Sequence, residues 1–265
     1  MPGAVPYLTL PGFTAPHGFT TRAGGVSEGP YASLNLGLSS GDDCAKVEAN
    51  RALLLEALGA RREQVCGYHQ VHGARVMVET PGWFDEKADA SVSADPEHLL
   101  VVSAADCYPV LFHDPVTGAA GAAHCGWRGT LQRLPALVVE ALAREYGSDP
   151  AEVRVAIGQG VGGRCYQVDR AVGEAFLAAG FPAHVLAEGP PPPDLADLAP
   201  GEDRVLLDVH AAVLHALAEA GVRRQNVVSL GRCTHCEPAS FFSHRRDRGL
   251  TGRMWGFVRP TAPRR

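Results

Sequence analysis

Apolar positions along this chain follow two periods, and the segments between them are polar, glycine-rich or proline-rich. Ala45, Val47, Leu53, Leu54, Leu55 and Leu58 fit the 3.6-residue period of an amphipathic helix, with Asp42-Asp43 placed to cap its start and Gly59 to stop it. Shorter β-rich runs at Val65 to His69, Arg75 to Glu79, Leu99 to Ser103, Tyr108 to Phe112 and Ala119 to His124 predict strands of a sheet. A Gly126-Trp127-Arg128-Gly129 turn leads into a helix predicted over Leu131 to Tyr146 and ended by Gly147. Pro135 falls in its first turn, where a missing N–H costs little. Val153 to Ile157 then reads as a strand, Gly158 to Gly163 as a turn and Val168 to Ala179 as a helix. Leu207 to Ala220 predicts one more helix, and Val227 to Leu230 one more buried strand.

Gly189 to Gly201 interrupts this pattern with four consecutive prolines at 190–193. Such a segment cannot sustain a regular hydrogen-bond ladder, so it reads as an exposed loop. Ordinary elements resume after it, which makes it an insertion in a single domain covering residues 1–265.

Composition narrows the function classes. With 265 residues, 46% of them hydrophobic, the chain has material for a sizeable core. A formal net charge of -5 excludes a general nucleic-acid binder, which needs a basic face to replace phosphate counterions. Lys46 and Lys87 are the only lysines, so the positive charge is almost all arginine, the better residue for a bidentate grip on phosphate or carboxylate. Met1 to Phe19 lacks the basic start and apolar core of a signal peptide. The longest apolar stretch, around Leu99 to Phe112, is broken by Asp106 and Pro109 and falls short of the ~20 residues that span a bilayer. Seven scattered cysteines are not a secreted disulfide framework. The expectation is a cytoplasmic protein with no membrane segment, whose thiols are free or metal-bound.

Three segments end on residues that bind metal well: Gln70-Val71-His72-Gly73, Ala105-Asp106-Cys107 and His124-Cys125-Gly126-Trp127-Arg128-Gly129-Thr130. His72, Cys107 and His124 lie too far apart in sequence for a local knuckle, so they meet only if the fold joins three strand ends. Three protein ligands leave a coordination position open for water or substrate. The structural alternative is a buried cysteine with two hydrogen-bonded histidines. A different chemical alternative makes Cys107 a nucleophile activated by His124, and the extra His72 favours metal over it. If the segment is extended, Asp106 points away from Cys107 and serves as an orienting group, a general acid or base, or a turn cap.

Other features are less specific. Cys233-Thr234-His235-Cys236 resembles half of a zinc site, with no second Cys/His pair following it. Gly158-Gln159-Gly160-Val161-Gly162-Gly163 offers backbone N–H groups to an anion but departs from the dinucleotide fingerprint. His17 precedes a strand and is within reach of the cleft, while His69, His98, His113, His184, His210 and His215 read as surface or core residues. The run from Phe241 to Met254 combines Phe242, Arg245 and Arg246 with a glycine turn. It suits stacking on a heterocycle with arginine on phosphate or ribose, or a plain hairpin with a solvated turn.

Together these segments resemble the laccase-domain family, once described as multicopper polyphenol oxidoreductases and now associated with purine nucleoside phosphorylase activity. The likeness runs through His17-Gly18-Phe19-Thr20-Thr21-Arg22-Ala23-Gly24-Gly25-Val26-Ser27, Leu34-Asn35-Leu36-Gly37, Asn50-Arg51, Gln70 to Gly73, Ala88-Asp89-Ala90, Ala105 to Val110, His124 to Thr130, Phe242 to Asp247 and Thr251-Gly252-Arg253. It implies an α+β single domain of mixed β-sheets covered by helices, a layered α/β/β/α sandwich related to cysteine-hydrolase-like toxin folds. It also implies a catalytic metal on His72, Cys107 and His124, zinc first and copper second, with Asp106 beside them. Asn35, Arg51, Arg128, Phe242, Arg245 and Arg246 become the candidates for substrate and phosphate. The chain departs from the family pattern at Gln159, at Arg164-Cys165 and at Cys125.

The resemblance leaves several reactions open: phosphorolysis of adenosine, inosine and methylthioadenosine, adenosine deamination, phenol oxidation, and editing of cell-wall precursors as by a cysteine hydrolase. A non-enzymatic metal-binding protein would keep the ligands without needing the arginines. A copper oxidase needs several histidine-rich centres and this chain offers one three-ligand set. The His-x-Glu and Pro-Cys-x-x-Cys signature of nucleobase zinc deaminases is absent. The expectation is therefore a metal-dependent purine nucleoside phosphorylase whose partners are purine nucleosides and phosphate, with adenosine deamination as a side activity.

Overall fold

The computed structural model describes residues 5–78, 82–196 and 203–264. The first half of the chain runs β1 (Tyr7–Leu8), β2 (His17–Thr20), α1 (Cys44–Ala57), β3 (Val65–His69), β4 (Val76–Val78), β5 (Gly82–Lys87), β6 (Ala90–Ser93), β7 (Leu99–Ala104) and β8 (Tyr108–His113). It continues with β9 (Ala120–Cys125), α2 (Trp127–Leu131), α3 (Leu134–Tyr146), β10 (Arg154–Ile157), β11 (Gln167–Asp169), α4 (Arg170–Ala178), α5 (Pro193–Ala196), β12 (Arg204–Leu206), α6 (Val209–Glu219), β13 (Val227–Ser229) and β14 (Met254–Val258).

Two six-stranded mixed sheets form, in the orders β1-β2-β14-β7-β3-β5 and β13-β10-β8-β9-β6-β4, with β11 and β12 as a separate pair. Their central strands β7, β8 and β9 are buried on both faces and read as nearly continuous apolar runs. Along β7, Leu100 and Val102 face the second sheet while Leu99 and Val101 face α1 with Leu54 and Leu55. The facing strands present Leu111, Ala120, Ala122 and Ala156, mostly small side chains that let the sheets approach. On the far side Val110, Phe112, Ala123 and Val155 pack under Val138, Leu142, Val213 and Leu217 of α3 and α6. The layer order is α/β/β/α, as the resemblance implies.

Local signals account for most element ends. Asp43 caps α1 by accepting from the Ala45 N–H, and Gly147 ends α3 in the left-handed region at φ 70°. The helix expected from Leu131 begins earlier and is broken: α2 ends at Leu131 and Arg133 takes φ 63° before α3 starts. The helix expected from Val168 starts at Arg170, because Gln167–Asp169 pairs with Arg204–Leu206 as a strand. Glu79, at the end of an expected strand, lies outside the described residues. The proline-rich segment is not wholly irregular. Pro193–Ala196 forms one helical turn that buries Leu195 against Val161 and Cys165, while residues 197–202 lie outside the described set. Among the described residues no helix is long and apolar enough to cross a membrane.

Candidate active site

The two sheets stop at neighbouring ends, and the loops leaving β3, β7 and β9 converge there. His72, Cys107 and His124 meet at this point with ligand atoms all within 4.8 Å of one another. The His72 and His124 rings stand edge to face at 4.8 Å between centroids. Two imidazoles and a thiol with no carboxylate form the donor set of a borderline or soft transition metal.

Asp89, fully buried in the bend just before β6, organises the set. Its Oδ1 accepts from His124 Nδ1 at 3.0 Å and from the His72 N–H at 2.9 Å, and its Oδ2 accepts from the N–H groups of Val71 and Gly73 at 3.2 and 2.6 Å. Nδ1 thereby carries the proton, and Nε2 of His124 is left as the ligating atom. Gln70 clamps the same loop to β7. Its Oε1 accepts from the Ser103 N–H at 2.7 Å and its Nε2 donates to Ser103 O at 2.8 Å. Held from both sides, His72 sits at φ 60°, a left-handed conformation unusual for a side-chain-bearing residue. Two glycines of the His124-to-Thr130 motif are steric requirements. A Cβ on Gly126 would lie 2.9 Å from Cys107 Sγ, and one on Gly129 would lie 2.6 Å from Gly73 O.

Electrostatics activate Cys107 and silence its neighbour. Desolvation pushes the Cys107 thiol up, but the charge of His124 and hydrogen bonds from His124 and His72 outweigh it and hold the thiol at about 6. Burial opposes charge on His124 as well, yet Cys107 and Asp89 raise it to about 9. The pair is thus a thiolate beside an imidazolium when no metal is bound. Cys125 points to the opposite face of β9, among Val110, Leu134 and Val138, and burial keeps it protonated.

The set lies on the wall of a cavity of about 650 Å³ that is also lined by Arg51, Tyr68, His69, Trp127, Arg128, Tyr166, His244, Arg245 and Arg253. Asp106 lies on the wall too, but the segment is not extended: Asp106 adopts φ 93°. Its Oδ1 accepts from Thr234 Oγ1 at 2.5 Å and its Oδ2 from the Arg245 N–H at 2.6 Å, so its carboxylate braces the Arg245 backbone.

The expected substrate residues divide. Arg51, Arg128 and Arg245 reach the cavity, the last two with guanidinium groups over Trp127 and Tyr166. Arg51 is buried beneath it, with Nε and Nη2 donating to Leu36 O at 3.0 and 2.8 Å. Asn35, Phe242 and Arg246 stand behind the wall rather than on it. Asn35 Oδ1 accepts from the N–H groups of Gly37 and Arg253, so it shapes the wall through Arg253. Phe242 is fully buried under Arg22, and Arg246 donates to the carbonyls of Thr234 and Phe241 and to Asp247. His17 does not approach the cleft; it lies in β2, accepting from the Leu10 N–H and donating to Ala15 O. The glycine-rich turn is no anion cradle, because the N–H groups of Gly158, Gly160, Val161 and Gly162 donate to Pro109 O, Arg232 O, Asp106 O and Cys233 Sγ.

Asp89, Tyr166, His244 and Arg253 complete the neighbourhood; Asp89, His244 and Arg253 lie in motifs that carry the family likeness, but the sequence assigned a role to none of the four. Asp89 left one usable signal, an acidic residue between the small apolar residues Ala88 and Ala90, where a buried charge needs partners. Tyr166, His244 and Arg253 sit in loops whose direction only the tertiary structure sets.

Comparison with known proteins agrees with the fold and the residue pattern. The chain is 42% identical over 255 residues to a purine nucleoside phosphorylase of Deinococcus radiodurans, covering 96% of this chain and 92% of that protein. It is 36% identical to the purine nucleoside phosphorylase YfiH of Escherichia coli, covering 95% and 98%. The crystal structure of YlmD from Geobacillus stearothermophilus superposes with a TM-score of 0.83 at 36% identity, over 96% of each chain. The YfiH structure from Bacillus licheniformis, a hypothetical protein, gives 0.83 at 33% over 92% of each. Residues 16–260 match the family described as multi-copper polyphenol oxidoreductase laccase, and the chain belongs to that family.

Proposed function

We propose that this protein is a metal-dependent purine nucleoside phosphorylase whose metal is zinc, held by His72, Cys107 and His124. The carrying observation is the convergence of these three side chains on a cavity walled by several arginines. Relatives named for this activity across most of their length support the reading. A bound zinc would supply a Lewis acid with one open coordination position.

The protein's own residues carry the rest. Arg245 and Arg253 bind phosphate, Arg245 with its backbone braced by Asp106 and Arg253 with its backbone braced by Asn35. Tyr166 and Trp127, each with a guanidinium over one ring face, offer the other face to the purine. Burial and the charge of Arg253 depress His244, which is therefore neutral at pH 7 and presents one donor and one acceptor nitrogen to the base edge. An oxygen of hydrogen phosphate attacks C1′, the C1′–N9 bond breaks, and the purine departs with the electron pair and takes up the proton that the phosphate gives up. Holding phosphate and nucleoside together is the larger part of catalysis here.

The test is to incubate metal-defined protein with adenosine, with and without phosphate, and to separate the products. Adenine and ribose 1-phosphate that appear only with phosphate support the reading. Inosine formed without phosphate moves the assignment to deamination. A second reading rests on Cys107, His124 and Asp89, which stand in the order of a thiol-hydrolase triad. It requires amide hydrolysis that survives metal removal, whereas phosphorolysis is lost with the metal.

A further inference from the structure

The half-motif Cys233-Thr234-His235-Cys236 finds its missing partner in the fold. Cys165, 71 residues before Cys236, places its Sγ 3.4 Å from Cys236 Sγ. The ligand atoms of Cys165, His235 and Cys236 all lie within 4.8 Å of one another. Cys233 stands beside this set, packed against the apolar cluster that holds Cys165, and its Sγ accepts from the Gly162 N–H at 3.2 Å. Cys165 and His235 are buried, Cys236 is exposed at the rim, and none of these cysteines is in a disulfide.

We propose that Cys165, Cys233, His235 and Cys236 form a second metal site, a structural zinc site separate from the catalytic set. Three thiolates with one imidazole make a closed Cys₃His donor set, which leaves no position for substrate. A disulfide would use two of the sulfurs and leave a thiol and an imidazole unexplained. The N–H of Gly162 aimed at Cys233 is the contact that a metal-bound thiolate accepts. Leu195, Val161 and Cys165 pack as one apolar cluster, with Cys233 against it, and so give the site a dry side.

The site joins two loops that shape the catalytic cavity. Gly160 and Cys233 bridge in parallel, and the Thr234 N–H donates to Gly160 O at 3.0 Å. Thr234, between the ligands, donates to Asp106, and its carbonyl accepts from Arg246. Tyr166 follows Cys165 directly and lines the cavity. A metal here fixes Asp106, and through it Arg245, before substrate arrives.

The test is metal content of the full chain, purified under reducing conditions with zinc present and dialysed free of loose metal. Wild type should hold two zinc ions per chain, and Cys107→Ser and Cys236→Ser one each. The double variant should hold none. Cobalt added to metal-free Cys107→Ser should show thiolate-to-metal charge transfer and a tetrahedral d–d spectrum. If Cys236→Ser does not fold, Cys236→His, which keeps a zinc ligand, should fold and retain both ions. One zinc in wild type and none in Cys107→Ser would overturn the proposal, as would an intact mass two hydrogens below the reduced chain under these conditions. Because the count is read in the Cys107→Ser background, it is independent of whether the protein cleaves nucleosides.

Discussion

The two cysteine and histidine clusters are linked through Asp106 and are built from opposite mixtures of donors. The set at His72, Cys107 and His124 has two imidazoles to one thiol and faces a cavity of about 650 Å³. The set around Cys165 has two thiols to one imidazole, with the Cys233 thiol beside it, and packs against Val161 and Leu195. The first is braced by a buried carboxylate, the second by a backbone N–H. A site meant for turnover needs an open position and an orienting carboxylate; a site meant for rigidity needs neither. The contrast teaches that similar residue types acquire different roles from what stands beside them.

Substitution of one sulfur from each cluster should separate their roles most strongly. Cys107→Ala should lose purine turnover below detection while its circular dichroism stays that of the parent. Cys165→Ser should stay within about tenfold of parent activity, a difference of about 1.4 kcal/mol, while its melting temperature falls. Equal losses of turnover in the two variants would erase the division of roles.

Thiol reactivity should also differ between Cys107 and its neighbour Cys125. In metal-free protein Cys107 should alkylate with a midpoint near pH 6, since its thiolate is favoured from about 6 upward. At pH 7 it should be about thirtyfold more ionised than an unperturbed thiol. Cys125, buried and held protonated, should remain unlabelled in the folded protein. Peptide mapping after iodoacetamide across pH 5 to 9 reads both, and labelling of Cys107 that begins only above pH 8 would remove the thiolate.

Asp89→Asn keeps the shape but removes the charge that orients His124, and such outer-sphere changes cost about 10- to 100-fold in metal affinity. Equilibrium dialysis against a zinc buffer measures it. The count at the Cys165 cluster should not change.

Smaller effects separate the arginines. Arg253→Met and Arg245→Met should each raise the phosphate KM about tenfold or more, because a charge-assisted hydrogen bond contributes ~1.5–3 kcal/mol. Arg51→Met should lower the melting temperature with little change in phosphate KM, since Leu36 O holds its guanidinium. A raised KM in the Arg51 variant alone would move the phosphate to the α1 side. Cys125→Ala, which trims one sulfur in the outer core, should cost only about 1 kcal/mol of stability and leave KM unchanged.

Much of the scaffold was legible from pattern. The strands at Leu99, Tyr108 and Ala119, the cap at Asp43 and the stop at Gly147 each rest on contacts within a few residues. The β5 and β14 strands were not, because Gly82–Lys87 and Met254–Val258 sit among charged and glycine-rich neighbours and gain their pairing from distant strands. The convergence of His72, Cys107 and His124 was legible because each ends an apolar run beside small residues. The reach of the loops was not: Asn35 and Arg246 satisfy backbone groups behind the wall, while Arg253, whose Nη1 donates to Thr251 O and Gly252 O, lines the cavity.

What the sequence determined by itself is therefore what short-range physics determines: the period of burial, the caps and turns, the donor types available, and an arginine-rich but acidic chain. Only the tertiary structure decided which donors meet. Asp89 reaches His124 because β6 pairs with β9 in a register that sets Ala90 against Ala123. Cys165 reaches Cys236 because β10 and β13 run parallel and deliver their loops to one end. Register and strand order are set by the packing of whole faces, summed over many weak contacts, and no local window of sequence contains that sum.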